Sequence, residues 1–396
     1  MAKKRVQVIL KSGKDQAVQR RHPWVFSGAI KKMEGEPAEG DIVEVYNNHD
    51  ELLGLGHYQI GSITVRMFSF EEVNPDLSFW KSKIMKAYQM RKAINLTNNN
   101  QTNVYRLVFA EGDELPGMII DYYNGVAVLQ FHSIGMYRLR NEFASILKDI
   151  YKEELVAIFD KSAETLPFKS EVELQNEFLF GDLSDTVVSE YNNKFNVNWV
   201  TGQKTGFFID QRENRRLLMD YSKDKTVLNT FCYTGGFSVA ALNAGAKLVH
   251  SVDSSKKAID LTIQNIELNG FDSNIHQSFA SDTLEFLKES KEKYDIIILD
   301  PPAYAKHRDV KHNAVQGYKR LNAQALENIK SGGILFTFSC SQVVDRHLFD
   351  STIMSAAIQV GRSVRIMHHL SQPADHPCSI FHPEGEYLKG LVVYVE

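Results

Sequence analysis

The chain has 396 residues, with 45 Lys and Arg against 49 Asp and Glu and only three cysteines. At about 150 residues per domain this length calls for two or three domains, and an apolar share of 43% excludes a chain that is disordered throughout. No apolar run reaches the roughly 18 residues of a membrane span, and Cys232, Cys340 and Cys378 form no CxxC pair, which excludes a disulfide framework and a standard zinc site.

The basic start, Met1 to Arg5, leads into no long apolar stretch, so a signal peptide is not expected. The composition fits a cytoplasmic protein in reducing surroundings, with no membrane partner. Charge is unevenly placed. Nine Lys and Arg fall in the first 32 residues beside a single acid, Asp15. A second cluster holds Lys306, Arg308, Lys311, Lys319 and Arg320. Such runs are often solvated faces, but two of them beside functional motifs favour a polyanion such as RNA.

In chain order, Val6–Leu10, Asp41–Tyr46 and Ile63–Phe68 read as short strands punctuated by glycines, which predicts a small β-barrel over residues 1–73. Asn74-Pro75-Asp76 marks a hinge, and Leu77 to Leu96 reads as a helix. A central α+β section, residues 74–185, carries a hairpin over Gly117 to Gln130 with an Asn124-Gly125 turn. Residues 186–396 alternate strand and helix. Strands are expected at Thr226–Asn229, Lys247–Asp253, Ile275–Phe279, Tyr294–Asp300 and Ile334–Cys340. A helix after Asp253 should bury Ile259, Ile263 and Ile266. This rhythm predicts an α/β, Rossmann-like domain with a mainly parallel sheet and a ligand at the carboxyl ends of its strands.

The first of these strands runs into Asn229-Thr230-Phe231-Cys232-Tyr233-Thr234-Gly235-Gly236, a glycine turn that admits a ligand close to the backbone. No GxGxxG and no GxxxxGK[ST] is present, which argues against dehydrogenase and nucleotidase readings. The second strand ends in Asp253-Ser254, an acid able to accept hydrogen bonds from both hydroxyls of a ribose. The third leads to Ser281-Asp282, placed to meet an adenine amino group. A lone strand-end Asp is more often a helix N-cap. Three such features on successive strands instead resemble the layout of class I S-adenosylmethionine methyltransferases.

The fourth strand delivers Asp300-Pro301-Pro302-Ala303-Tyr304 and the fifth ends in Ser339-Cys340-Ser341. Amino-methyltransferases place an aromatic directly after Asp-Pro-Pro, and here Ala303 holds that slot. A cysteine at the mouth of the sheet suits nucleophilic catalysis. Carbon 5 of a pyrimidine becomes nucleophilic only once a thiolate has added to carbon 6. The plain alternative is that Cys340 is a small buried hydrophobe. For Cys232 and Cys378 the structural role is the favoured one. His368, His369, His376 and His382 match no standard ligand spacing, so no metal is expected. Trp24, in His22-Pro23-Trp24, reads more naturally as a core residue than as a base-stacking one.

Taken together, Arg21 to Ile30 with Gly54 to Tyr58, Arg106 to Gly117, Gly202 to Arg215, and Asp375-His376-Pro377 with Glu386 to Gly390 resemble bacterial large-subunit ribosomal RNA cytosine-5 methyltransferases that carry an N-terminal PUA domain. The resemblance runs over nearly the whole chain. It implies an RNA-binding PUA barrel, the cofactor S-adenosyl-L-methionine and a large-subunit ribosomal RNA partner. It also implies that Cys340 is the nucleophile and that Asp300 holds the cytosine edge near N3. Cofactor contacts would come from Asn229, Phe231, Tyr233 and Gly235 of the turn, Asp253 and Ser254 at the ribose, Asp282 at the adenine, and Asp300. Gln203, Thr205, Phe207 and Arg212 of the Gly202 to Arg215 segment complete the set, although Arg212 and Arg215 could simply pair with surface acids. Two other readings stay open: amino-methylation of guanine or adenine through the Asp-Pro-Pro loop, and an inert RNA-binding assembly protein. Whether two copies pair as a homodimer is not written in the sequence.

Overall fold

The computed structural model describes residues 5–167, 175–182, 187–290, 293–305 and 310–396. Lys3, Lys4, Lys306 and Arg308, counted above in the basic clusters, lie outside them. The chain divides into two compact units. The first is built from Met1–Thr186, Asn198–Gly206 and Ala374–Gly385, and the second from Val187–Val197, Phe207–Pro373 and Glu386–Glu396.

The first unit opens with six short strands and one helical turn: β1 (Val6–Leu10), α1 (Gln16–Gln19), β2 (Trp24–Phe26), β3 (Ile30–Glu34), β4 (Ile42–Tyr46), β5 (Leu52–Tyr58) and β6 (Ile63–Ser69). They pair in the order β2-β6-β5-β4-β1-β3. Val8, Leu10, Val25, Val43, Val45, Val65 and Met67 alternate inward and form the core. Close approach dictates the glycines of β5: a Cβ on Gly56 would lie 2.6 Å from the Arg66 carbonyl oxygen of the neighbouring strand. Trp24 is only half-buried. Its indole N–H donates to Glu111 at 2.8 Å, so it is not the core residue expected; Trp80 and Trp199 are, each 1% exposed.

Helix α2 (Leu77–Ala93) starts where Asp76 accepts the Phe79 amide, as an N-cap should. A five-stranded sheet follows, made of β7 (Val104–Phe109), β8 (Met118–Tyr123), β9 (Val126–Phe131), β10 (Ala157–Asp160) and β11 (Glu177–Phe180), with helices α3 (Ile134–Arg138) and α4 (Arg140–Tyr151) inserted. Asn124 and Gly125, both at positive φ, make the tight β8–β9 turn that the dipeptide predicts.

The second unit contains a small hairpin, β12 (Val187–Glu190) and β13 (Asn193–Asn196), and helix α5 (Arg212–Ser222). Alternating elements then follow: β14 (Thr226–Thr230), α6 (Gly236–Asn243), β15 (Leu248–Asp253), α7 (Lys256–Leu268), β16 (His276–Ala280), α8 (Thr283–Glu289), β17 (Tyr294–Leu299), α9 (Lys311–Asn328), β18 (Ile329–Ser339), α10 (Arg346–Val360), β19 (Val364–Leu370) and β20 (Lys389–Val395). The sheet order is β16-β15-β14-β17-β18-β20-β19. All pairs are parallel except those made by β20, which enters antiparallel between β18 and β19. The order reverses at β14–β17, the switch point where open α/β sheets hold ligands.

One burial expectation fails. Ile263 is 39% exposed, while Ala258, Ile259, Thr262, Asn265 and Ile266 are buried. The inward face of α7 is centred on Thr262, whose hydroxyl donates to the Tyr233 carbonyl at 3.0 Å. Asn265 likewise donates to the Thr234 carbonyl at 2.8 Å. Polar contacts to the glycine turn thus set the helix rotation, and no count of apolar residues could reveal that. Among the described residues no helix is long and apolar enough to cross a membrane.

Candidate active site at the carboxyl edge of the sheet

Strand register brings the predicted groups to one edge. Thr230 stands opposite Val252 and Leu299, Asp253 opposite Ala280, and Leu299 opposite Thr337. Phe231, Ser254, Ser281 and Asp300 come next along, and β18 runs on through Ser339 to Cys340, so all five leave the same rim of neighbouring parallel strands.

The β14–α6 turn has unusual geometry. Phe231 and Tyr233 both adopt positive φ, 55° and 48°, and Gly235 follows at 75°. Two aromatic residues in the left-handed region cost about 1–3 kcal/mol each, and such strain persists only where the surroundings over-determine it. They do here. The Cys232 amide donates to the Val252 carbonyl at 3.1 Å, the Gly235 amide to the Cys232 carbonyl at 2.7 Å, and the Tyr233 amide to the Asp253 carboxylate at 3.0 Å. A Cβ on Gly235 would lie 2.7 Å from Thr262 Cγ2, so only glycine lets α7 pack this closely.

Asp253 takes a second bond from the Ser255 amide at 2.9 Å, which fixes its carboxylate at the end of β15. Ser254 beside it is exposed. Asp282 caps α8 through one oxygen, accepting from the Leu284 and Glu285 amides at 2.9 and 3.1 Å. The ordinary cap role and a position on the rim coexist in this residue. Asn229 is buried. Its amide donates to Ser238 at 2.8 Å, and Ser238 and Ser251 carry the chain on to His276. Its Oδ1 atom is buried without a hydrogen-bond partner among the described residues. An orphaned acceptor beneath a strained turn, next to a strand-end carboxylate, suits a ligand bearing an ammonium group and a ribose. These residues fit the S-adenosylmethionine expected from the sequence.

The Gly202 to Arg215 segment is shared between the two units. Thr205 belongs to the first, where its buried hydroxyl donates to Asp121 at 2.6 Å and meets the Tyr123 hydroxyl at 2.9 Å. Asp121 is held in turn by the Arg106 guanidinium. Gln203 also lies in the first unit and is exposed. The second unit carries Phe207, which is buried against Phe195 with a ring separation of 4.9 Å, and Phe208, whose ring meets Tyr233 edge-on at 5.1 Å. Arg212 is 1% exposed and bonds Glu213 at 3.0 Å. Arg215 makes a buried bidentate pair with Glu190 at 2.6 and 2.7 Å and lies 4.7 Å from the Phe207 ring centroid. The acid is therefore buried, not a surface one, and it was not legible in advance because Glu190 sits 25 residues upstream on β12.

Asp300 and Cys340 each stand one residue beyond the end of a strand, β17 and β18. Both are half-buried. Cys232, by contrast, is buried against Thr262 at 3.5 Å, and burial pushes its thiol up to about 12. The residue most plainly overlooked by sequence reasoning is Lys389, the first of β20. It is 5% exposed, with its ammonium donating to the carbonyls of Ser341 and Tyr387 at 2.8 and 2.6 Å. Hydropathy assigns lysine to the surface, and nothing in the pattern around it signals burial.

Three possible metal ligands come together in the first unit. Atoms of His22, His382 and Glu384 lie within 4.8 Å of one another. The Trp24 amide donates to His22 Nδ1 at 3.2 Å, which leaves the proton on Nε2, facing Glu384 at 3.4 Å. A metal at Nε2 would need the opposite tautomer and the loss of that backbone bond.

Comparison with known proteins agrees with this layout. Residues 8–70 match a PUA-like domain model, and residues 165–383 match an S-adenosylmethionine-dependent methyltransferase model. The ribosomal RNA large subunit methyltransferase I of Aeromonas hydrophila is 38% identical over 394 residues, which cover 98% of each chain. Among solved structures, a candidate SAM-dependent methyltransferase from Streptococcus mutans superposes with a TM-score of 0.83 at 23% identity, over 98% of this chain and 99% of that one. A candidate methyltransferase solved in complex with SAH gives a TM-score of 0.85 at 23% identity and the same coverage. Both share the fold.

Proposed function

The chain belongs to the S-adenosylmethionine-dependent ribosomal RNA large subunit methyltransferase I family, and from that premise we propose that it forms 5-methylcytidine in large-subunit ribosomal RNA through a covalent bond between Cys340 and the target cytosine. The observation that supports this reading is that Asp300 and Cys340 each directly follow the last residue of two neighbouring parallel strands, β17 and β18.

When bound, S-adenosylmethionine supplies an electrophilic methyl group. The protein's own groups do the rest. Tyr233, Asp253 and Asn229 would hold the cofactor at the β14 and β15 ends, with Phe231, Gly235, Ser254, Asp282, Phe207 and Arg212 shaping or supporting that site. Cys340 sulfur would add to carbon 6 of the cytosine, and the displaced electron pair would make carbon 5 nucleophilic. Asp300 would hold the ring near N3 and favour that addition. After methylation, loss of the carbon 5 proton would return the pair to the ring and expel the sulfur. Residues 1–73 would grip RNA, 74–185 would form the central α+β section, and 186–396 would carry the chemistry. Because carbon 6 is shielded within a stack, the target base must be unstacked or flipped.

The test is methylation of unmodified large-subunit ribosomal RNA, read by nucleoside mass spectrometry. A gain of 5-methylcytidine is expected, and it should vanish in Cys340→Ala. A methylated guanine or adenine would overturn the thiolate route in favour of the Asp-Pro-Pro amine reading. RNA binding without cofactor binding would point to an inert assembly protein, whereas cofactor binding with no product would leave the enzyme reading standing and the substrate wrong.

A further inference from the structure

The rim holds one buried charge that the reaction described above leaves unused. Lys389 stands opposite Ser339 in the β18–β20 register, one residue from Cys340. Its ammonium is anchored on two neutral carbonyls, Ser341 on the residue after the cysteine and Tyr387 on its own strand's approach. No carboxylate among the described residues lies within ion-pair distance of it. A buried lysine with only neutral acceptors is costly to keep charged, and burial does lower its proton affinity here. The largest opposing influence is the negative charge that Cys340 can carry, ahead of Glu386 and Asp345, while Arg346 works against it. Tyr318 of α9, whose ionisation Cys340 also opposes, is fully buried, and burial raises its hydroxyl far above the ordinary range, so it stays protonated and neutral. The charged and titratable groups acting on Lys389 are thus Cys340, Glu386, Asp345 and Arg346, and Tyr318 is a further titratable group that Cys340 influences.

We propose that Lys389 is a positioning residue for Cys340: its ammonium, anchored on the Ser341 carbonyl, holds the cysteine as a thiolate ready to add to the ring. This rests on Cys340 being the nucleophile. A free thiol with a pKa near 8.5 is only a few per cent ionised at neutral pH, and an adjacent cation is the usual means of raising that fraction. Lys389 keeps its proton throughout. When the S–C6 bond forms, negative charge leaves the sulfur for the ring, and when the bond breaks at product release the charge returns beside the ammonium. A buried cation whose hydrogen bonds among the described residues go to neutral carbonyls is suited to this role.

The plain alternative is that Lys389 only ties down the exit of β18 by bonding two carbonyls. The two roles separate in the pH dependence of Cys340 alkylation by iodoacetamide, followed peptide by peptide in the full-length protein. In the unmodified chain the midpoint should lie below about 7.5, and a midpoint at or above about 8.5 overturns the proposal without any variant. Lys389→Gln keeps an N–H for Ser341 but removes the charge, and Lys389→Met removes both. Each should raise the midpoint by about one pH unit or more, while Lys389→Arg should leave it near the original. The acid limb of the methyl-transfer pH profile should move by the same amount. Lower turnover in Lys389→Gln with an unchanged alkylation midpoint would show a purely structural role. Failure of the nucleophile reading is seen separately, as retained turnover in Cys340→Ala, whereas alkylation reports the Lys389–Cys340 coupling whatever the turnover.

Discussion

Cys232 and Cys340 occupy similar places, each just past the carboxyl end of a parallel strand, yet their surroundings differ sharply. Cys232 is folded under the glycine turn, bonded to Thr262 and pushed up to about 12 by burial. It is a protonated packing atom. Cys340 is half-buried on the rim, near a lysine whose ammonium bonds two neutral carbonyls. Position on the sheet therefore selects which residues meet the ligand, but exposure and the nearest fixed charge decide which of them can react.

The largest expected effect tests that contrast directly. Cys340→Ala should lower methyl transfer on the order of 10³-fold or more, with cofactor affinity and thermal midpoint nearly unchanged. Cys232→Ala should keep turnover within a few-fold. Measured rates and calorimetry check both, and equal losses in the two variants would erase the distinction. Next comes the support under the Cys232 side. Glu190→Gln leaves the Arg215 guanidinium buried without its anion, so urea unfolding should show a loss of about 3–5 kcal/mol. Arg215 lies against Gly236, 3.1 Å from where a Cβ would stand, so cofactor binding should weaken as well. Gly235→Ala forces a methyl into Thr262 at positive φ, for an expected loss of about 2–3 kcal/mol; isothermal titration with the cofactor should show weaker binding.

The smallest effect is one of pH. The folded state holds the Cys232 proton more tightly than the unfolded chain, whose thiol ionises near 9.0. The stabilisation is complete below that value and is lost as pH rises toward about 12. Cys232→Ala should flatten this alkaline decline in denaturant midpoint while costing about 1 kcal/mol at neutral pH. A decline of unchanged slope would place its cause elsewhere.

Much of this was legible in the chain itself. Alternation and glycine spacing located β1, β4 and β6, the Asn124-Gly125 turn located β8 and β9, and motif order along five strands marked the rim, because these signals depend on neighbours within a few residues. Asp253, Asp300 and Cys340 could be named for the same reason: strand ends in a parallel sheet all point one way. What tertiary structure alone decided involves partners distant in sequence. Glu190 meets Arg215, Thr262 turns α7 away from Ile263, Thr205 is claimed by Asp121, and Lys389 reaches Ser341 across 48 residues. Buried polar groups must find partners wherever the fold brings them, and hydropathy places such residues on the surface. Local sequence thus determined which residues line the edge of the sheet, while long-range packing of polar groups decided their hydrogen-bond partners and orientation.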